Sequence, residues 1–268
     1  MFGRDEVNDV MKALQKNIGF FASEAHFQMS FAAEILKKYK DKFAIVPEYP
    51  TTRKITTKYY ENETTISKID EKTDEIDLVV VDMEDKDENG NNKKTYIEFK
   101  HKTTNTSSES LVVPVKNLPG VSIIPTSMAA QDLGRFDCWS DIERLEYYKK
   151  HGANLAFFIL VTNDETFWND KGEHGFGINE PTYNPEDKKW SYWDPTLDKE
   201  IKKGKKVLGK TKGSVPDNKK DSVGANRNRV IEIKEKHVFD WGDFIVAKHN
   251  KNPREKFCGK YERLIVEI

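Results

Sequence analysis

Three features of this 268-residue sequence predict an α/β fold with a mixed central β-sheet flanked by helices. Segments 75–83 and 94–101 read as apolar strands, and the polar span between them carries Asn89-Gly90 at its middle, the signature of a hairpin. An apolar stripe at helical spacing follows (Phe136, Trp139, Ile142, Leu145, Tyr148). Then comes the unbroken apolar run 155–161, the pattern of a strand covered on both faces. Strand, helix, strand in that order implies a right-handed crossover and a parallel pair, so the sheet holds both orientations.

The elements follow in order. Residues 5–40 read as helix, broken near Gly19. Ser23 is the N-cap of the second part, and Phe27, Phe31, Ile35 and Leu36 recur at helical spacing. Segment 43–47 reads as a short strand ending at Pro47, and 53–60, with Ile55, Thr57 and Tyr59 alternating, as a separate one. The hairpin strands come next, and the Ser/Thr- and proline-bearing stretch 103–126 reads as a long loop. The next helix starts near Ser127 and stops at Gly152, because glycine commonly sits just past a helix C-terminus. Segments 230–233, 238–247 and 260–268 read as closing strands. The domain expectation is a core over 1–165 and a β-containing C-terminal extension over 166–268 packed on it.

With 37% apolar residues the chain can bury a substantial core. Its formal net charge of -1 conceals a segregation: 61–88 carries twelve acids and three bases, 199–229 eleven bases and three acids. A near-neutral total therefore does not exclude a polyanion partner. Cys138 and Cys258 lack metal-ligand spacing, and two lone cysteines point to a reducing compartment. Residues 1–15 are charged throughout, so no secretion signal is read there. No apolar run approaches the roughly 20 residues that span a bilayer. The expectation is a cytoplasmic protein with no membrane partner.

The hairpin carries the chemistry. Asp77 lies on its first strand and Glu98-Phe99-Lys100 on its second. Side chains alternate along a strand, so Glu98 and Lys100 share one face while Phe99 points to the other. Burying charge among Ile76, Leu78, Val79, Ile97 and Phe99 costs several kcal/mol unless partners offset it. Two carboxylates and the backbone carbonyl of Phe99 suit Mg²⁺, a hard cation that keeps several waters, with Mn²⁺ able to substitute. Such a metal acidifies a bound water and neutralises charge building on a phosphate. Lys100 would position or deprotonate that water, or stabilise the phosphoryl oxygens.

Asp77 followed by Glu98-Phe99-Lys100 resembles the PD-(D/E)xK nuclease superfamily, with Ile76 where the family signature has proline. The resemblance covers about half the chain, 20–162, and implies a restriction-endonuclease-like core in the order helix, three strands, helix, strand. It implies Asp77 and Glu98 as metal ligands, Lys100 as the catalytic lysine and a helical glutamate near the metal. Glu24 fills that last place, supported by Gln28 four residues on and so on the same helix face. The segment Asp141-Ile142-Glu143-Arg144-Leu145-Glu146 resembles a helix of bacterial members. The implied activity is Mg²⁺-dependent endonucleolytic cleavage of double-stranded DNA, of restriction or defence type. Cutting both strands calls for two active sites and hence a homodimer.

Blander readings stand beside these. Asp77, Glu98 and Lys100 would form an ordinary cross-strand ion pair, which contributes little at a surface. Asp82 and Asp74 compete with Asp77 as the first acid but lie nearer strand ends. Glu24 and Gln28 would be a polar pair on a solvent-facing helix side. His101 reads as a core or rim histidine, and Arg144 and Glu146 as braces of their helix. His26, His174 and His237 show no ligand spacing. Segment 199–229 reads as a contact for a phosphate backbone or as a solvated loop, and Trp190, Tyr192 and Trp193 as base-stacking or core residues. The rival functions are a catalytically inactive nucleic-acid-binding protein of the same fold, and a structural or interaction protein whose acidic and basic segments pair.

Overall fold

The structure, a computed structural model, describes residues 1–18, 21, 23–61, 64–103, 113–114, 122–123, 131–164, 167, 182–184, 189–193, 231–235, 237–246 and 260–268. The basic segment 199–229 and Cys258 lie outside the described residues, as do the side chains of Trp190, Tyr192 and Trp193.

Two helices open the chain, α1 (Arg4–Asn17) and α2 (Glu24–Tyr39), separated where Gly19 was expected to break them. The Ser23 hydroxyl caps α2 by accepting the His26 N–H at 3.1 Å. After a 3-10 turn at Lys40–Lys42 come the long strands β1 (Phe43–Glu61) and β2 (Thr64–Lys86), then β3 (Asn92–Lys102). The two strands expected at 43–47 and 53–60 are thus one. β1 is an edge strand, where Pro47 and Pro50 forfeit no hydrogen bond that a central strand would need.

The β2–β3 turn forms as its sequence dictates. Asp87 accepts the N–H groups of Asn89 and Asn91 at 2.9 and 2.8 Å, and Gly90 takes φ +80°, a conformation side chains disfavour. After the short pair β4 (Val113–Pro114) and β5 (Ser122–Ile123) comes α3 (Gln131–Lys150). It ends at Gly152, φ +127°, and leads into β6 (Leu155–Thr162).

β3 and β6 pair in parallel, as the strand–helix–strand order implies, with Glu98 beside Phe158 and Lys100 beside Leu160. β7 (Thr182–Asn184), β8 (Lys189–Trp193) and β9 (Ile231–Ile233) form a small separate sheet. β10 (Phe239–Val246) and β11 (Lys260–Glu267) return to the main one. Its order is β1-β2-β3-β6-β11-β10, mixed in orientation, with β11 antiparallel to β6.

Alternation along the central strands divides the apolar interior into two layers. Leu78, Val80, Ile97, Phe99, Phe157, Ile159 and Val161 pack under α1 and α2, meeting Val10, Leu14, Phe27, Phe31 and Ile35. Tyr96, Ala156, Phe158 and Leu160 face Cys138, Trp139, Ile142, Leu145 and Tyr148 of α3, with Ile231 and Ile233 of β9. Among the described residues no helix is long and apolar enough to cross a membrane.

Candidate active site

Glu98 and Lys100 project from β3 toward α3, because their strand neighbours Ile97 and Phe99 are committed to the α1/α2 layer. Asp77 arrives from β2, one step beyond the Leu78–Ile97 pairing, and its Oδ2 accepts the Phe99 N–H at 2.7 Å. The backbone around Asp77 is unusual. On the β1 side the ladder runs Pro47–Leu78 and Tyr49–Ile76, leaving Glu48 across from Asp77 with φ +47°. A non-glycine residue in that region marks local strain.

The N-terminal turn of α2 reaches the same place. Glu24 Oε1 lies 3.3 Å from Lys100 Nζ, and its Oε2 accepts the His101 N–H at 3.1 Å. Gln28 donates its side-chain N–H to the Asp77 carbonyl. These contacts join five of the six residues singled out in the sequence (Glu24, Gln28, Asp77, Phe99, Lys100), and the sixth, Glu98, adjoins Phe99 on β3 with its carboxyl within the fields of Asp77 and Lys100. The Phe99 carbonyl, expected as a metal ligand, accepts from Lys100 Nζ at 3.0 Å.

Two further residues belong to the cluster. Arg144 Nη2 lies 2.7 Å from Glu98 Oε2 and 2.9 Å from Asp141 Oδ1, while Asp141 Oδ2 lies 2.8 Å from Lys100 Nζ. Arg144, read from sequence as a brace of its own helix, reaches across to the sheet. A sequence signal for this existed. Asp141 sits three residues after Cys138 and seven before Tyr148, on the buried stripe of α3, and Arg144 follows it by three. Charges placed on a core-facing stripe need partners from another element.

Glu146, also read as a brace of its helix, instead ties α3 to the segment after β9. Its carboxylate accepts the N–H groups of Lys234 and Glu235, each at 2.9 Å, and touches buried His237 Nε2 at 2.8 Å. The competing acids lie elsewhere. Asp82 is buried against the Met1 amino group at 2.8 Å, and Asp74 pairs with Arg53 and accepts from the Tyr148 hydroxyl at 3.2 Å.

Burial governs the electrostatics. Glu98 has no exposed surface, and this desolvation pushes its carboxyl well above the usual range despite the Arg144 guanidinium beside it. Asp77 is also raised, first by burial, with Lys100 and the Phe99 N–H opposing. For Lys100 burial acts downward, but Asp141, Glu24, Asp77 and Glu98 together outweigh it and hold the ammonium above its ordinary value. Lys100 is thus a fixed cation. Buried His101 is the core histidine its position suggested, its pKa pushed down to about 4 by burial and by the charges of His26 and Lys102.

Does the donor set suit a divalent cation? Among the described residues no three His, Cys, Asp or Glu side chains form a ready-made cage. Mg²⁺ asks for less, since one or two carboxylates with waters and a substrate phosphate suffice. Glu98 Oε1 is buried and accepts no hydrogen bond from any described residue, a costly state that a cation would relieve. When all four carboxyls (Asp77, Glu98, Asp141, Glu24) are ionised, they outnumber the two cations (Lys100, Arg144) and leave a formal charge of about −2, which a divalent ion would balance. The residues fit the group. Comparisons of the chain with protein-family models, with curated proteins and with solved structures give no match.

Proposed function

We propose that this chain is a Mg²⁺-dependent endonuclease with a restriction-endonuclease-like core, hydrolysing phosphodiester bonds in double-stranded DNA in a restriction or defence setting. The observation that carries the reading is that Asp77 accepts the Phe99 N–H at 2.7 Å and so lies beside the strand segment bearing Glu98 and Lys100, with the buried Glu98 Oε1 accepting no hydrogen bond from any described residue. The order α2, β1, β2, β3, α3, β6 supports the fold part of the reading, being the succession the resemblance implies.

Asp77 and Glu98 would hold the cation, which Mn²⁺ can replace, with the Phe99 carbonyl third once Lys100 turns from it to substrate. The bound ion supplies a Lewis acid that neutralises charge on the phosphate and acidifies the attacking water. Lys100, held as an ammonium, acts electrostatically on the phosphoryl oxygens and not as a base. Asp141 and Glu24, from two different helices, hold its Nζ in place. Gln28 fixes the backbone that carries Asp77. A homodimer would bring two such sites to the two strands.

The test is cleavage of duplex DNA with Mg²⁺ by the wild type, Glu98→Gln and Lys100→Ala. Each variant should lose about a hundredfold or more in rate, the scale of removing an electrostatic stabiliser, while circular dichroism shows an intact fold. Full activity in either variant would sink the assignment.

A further inference from the structure

Arg144 is placed where hydrolysis alone does not require it. Its side chain is 18% exposed, its guanidinium contacts Glu98 Oε2 and Asp141 Oδ1, and it feels the fields of Asp74 and Asp77 as well. In the metal-free protein it pairs with the same carboxyl group that is proposed to bind metal. A buried ion pair is a poor stabiliser, because desolvating two ions offsets most of their attraction, and apolar side chains of similar volume often serve as well. A structural role therefore accounts badly for an arginine here.

We infer that Arg144 is a resident counter-cation that competes with the metal for Glu98 and so sets how tightly the metal is held. This rests on the metal-dependent reading above. The guanidinium keeps the carboxylates of Glu98 and Asp141 together while no metal is bound. When the ion arrives, two like charges share one buried pocket, and the affinity is reduced by their repulsion. The arrangement holds the site preassembled, since the acids need not spread apart when metal is scarce. It also holds a planar donor in reserve: a guanidinium released from Glu98 has the geometry to bind a phosphate through two N–H groups.

The experiment is calorimetric titration of the full chain with Mn²⁺, together with the Mn²⁺-induced rise in thermal midpoint. Wild type, Arg144→Gln, Arg144→Lys and Glu98→Gln are compared. Removing the guanidinium charge in Arg144→Gln should tighten Mn²⁺ binding by about tenfold or more, given the short separations in a low-dielectric site. Arg144→Lys keeps the charge and should stay within about threefold of wild type. Glu98→Gln should lose the binding. A purely structural Arg144 would lower the midpoint without tightening the metal, and that result overturns the inference. Should Arg144→Gln fail to fold, the lysine variant still decides: tightening of about tenfold there would rule out charge competition. If wild type takes up no Mn²⁺ and matches Glu98→Gln, the metal-dependent reading itself falls, which is a different outcome.

Discussion

His101 shows how a single position on β3 divides chemistry from support. Its backbone N–H holds Glu24 while its ring lies buried beside Phe21, centroids 6.2 Å apart. The ring's folded pKa of about 4 is below the ordinary 6.5, so the folded state favours the neutral form. The unfolded chain then binds more protons below pH 6.5, and stability must fall with pH through that range. The contribution is fully present above 6.5 and is lost as pH falls toward 4, in total up to about 3 kcal/mol. Urea unfolding in EDTA between these limits should show that slope in wild type and a flatter one in His101→Phe. Equal slopes would refute it. The residues at this scale were unevenly legible. Asp77, Glu98 and Lys100 announce themselves as charges inside apolar strands. Asp141 and Arg144 carried a fainter signal, charges on the buried stripe of α3, and their partners on β3 show which of that helix's many charged positions matter.

Elements were legible where their chemistry is local. The Ser23 cap, the Asn89-Gly90 turn and the Gly152 stop are each settled within a few residues. β1 was read in two pieces because its prolines look like breaks until its place at the sheet edge is known. The turn yields a prediction. Gly90 at φ +80° has open space around a hypothetical Cβ, so Gly90→Ala meets only backbone strain and should destabilise by about 1 kcal/mol. Chemical denaturation should report that loss, and the proposed DNA cleavage should remain near wild type because the turn lies at the hairpin end away from Asp77. A large loss of cleavage would mean the hairpin register depends on this glycine.

At the scale of the molecule, the main sheet is completed by residues from the far end of the chain. Leu264, Ile265 and Val266 of β11 are buried, alternating between the two layers, and β11 covers the edge of β6. Ending the chain at residue 259 would expose that edge and strip both layers of apolar contacts. It should give an aggregating product without a cooperative thermal transition, whereas a well-folded monomer on size exclusion would contradict the claim. Long-range closure of this kind is poorly encoded in local sequence, since β11 reads only as a strand and nothing nearby names its partner.

The two-layer interior has one more consequence. Glu24 comes from the α1/α2 layer, Asp141 and Arg144 from the α3 layer, and the sheet between them carries Asp77, Glu98 and Lys100. The cluster exists only when both helical layers have docked on opposite faces. A newly made or partly unfolded chain with one layer in place holds an incomplete set of charges. On the nuclease reading proposed above, reactivity would be licensed by finished folding, a safeguard for a cell that synthesises a DNA-cutting enzyme.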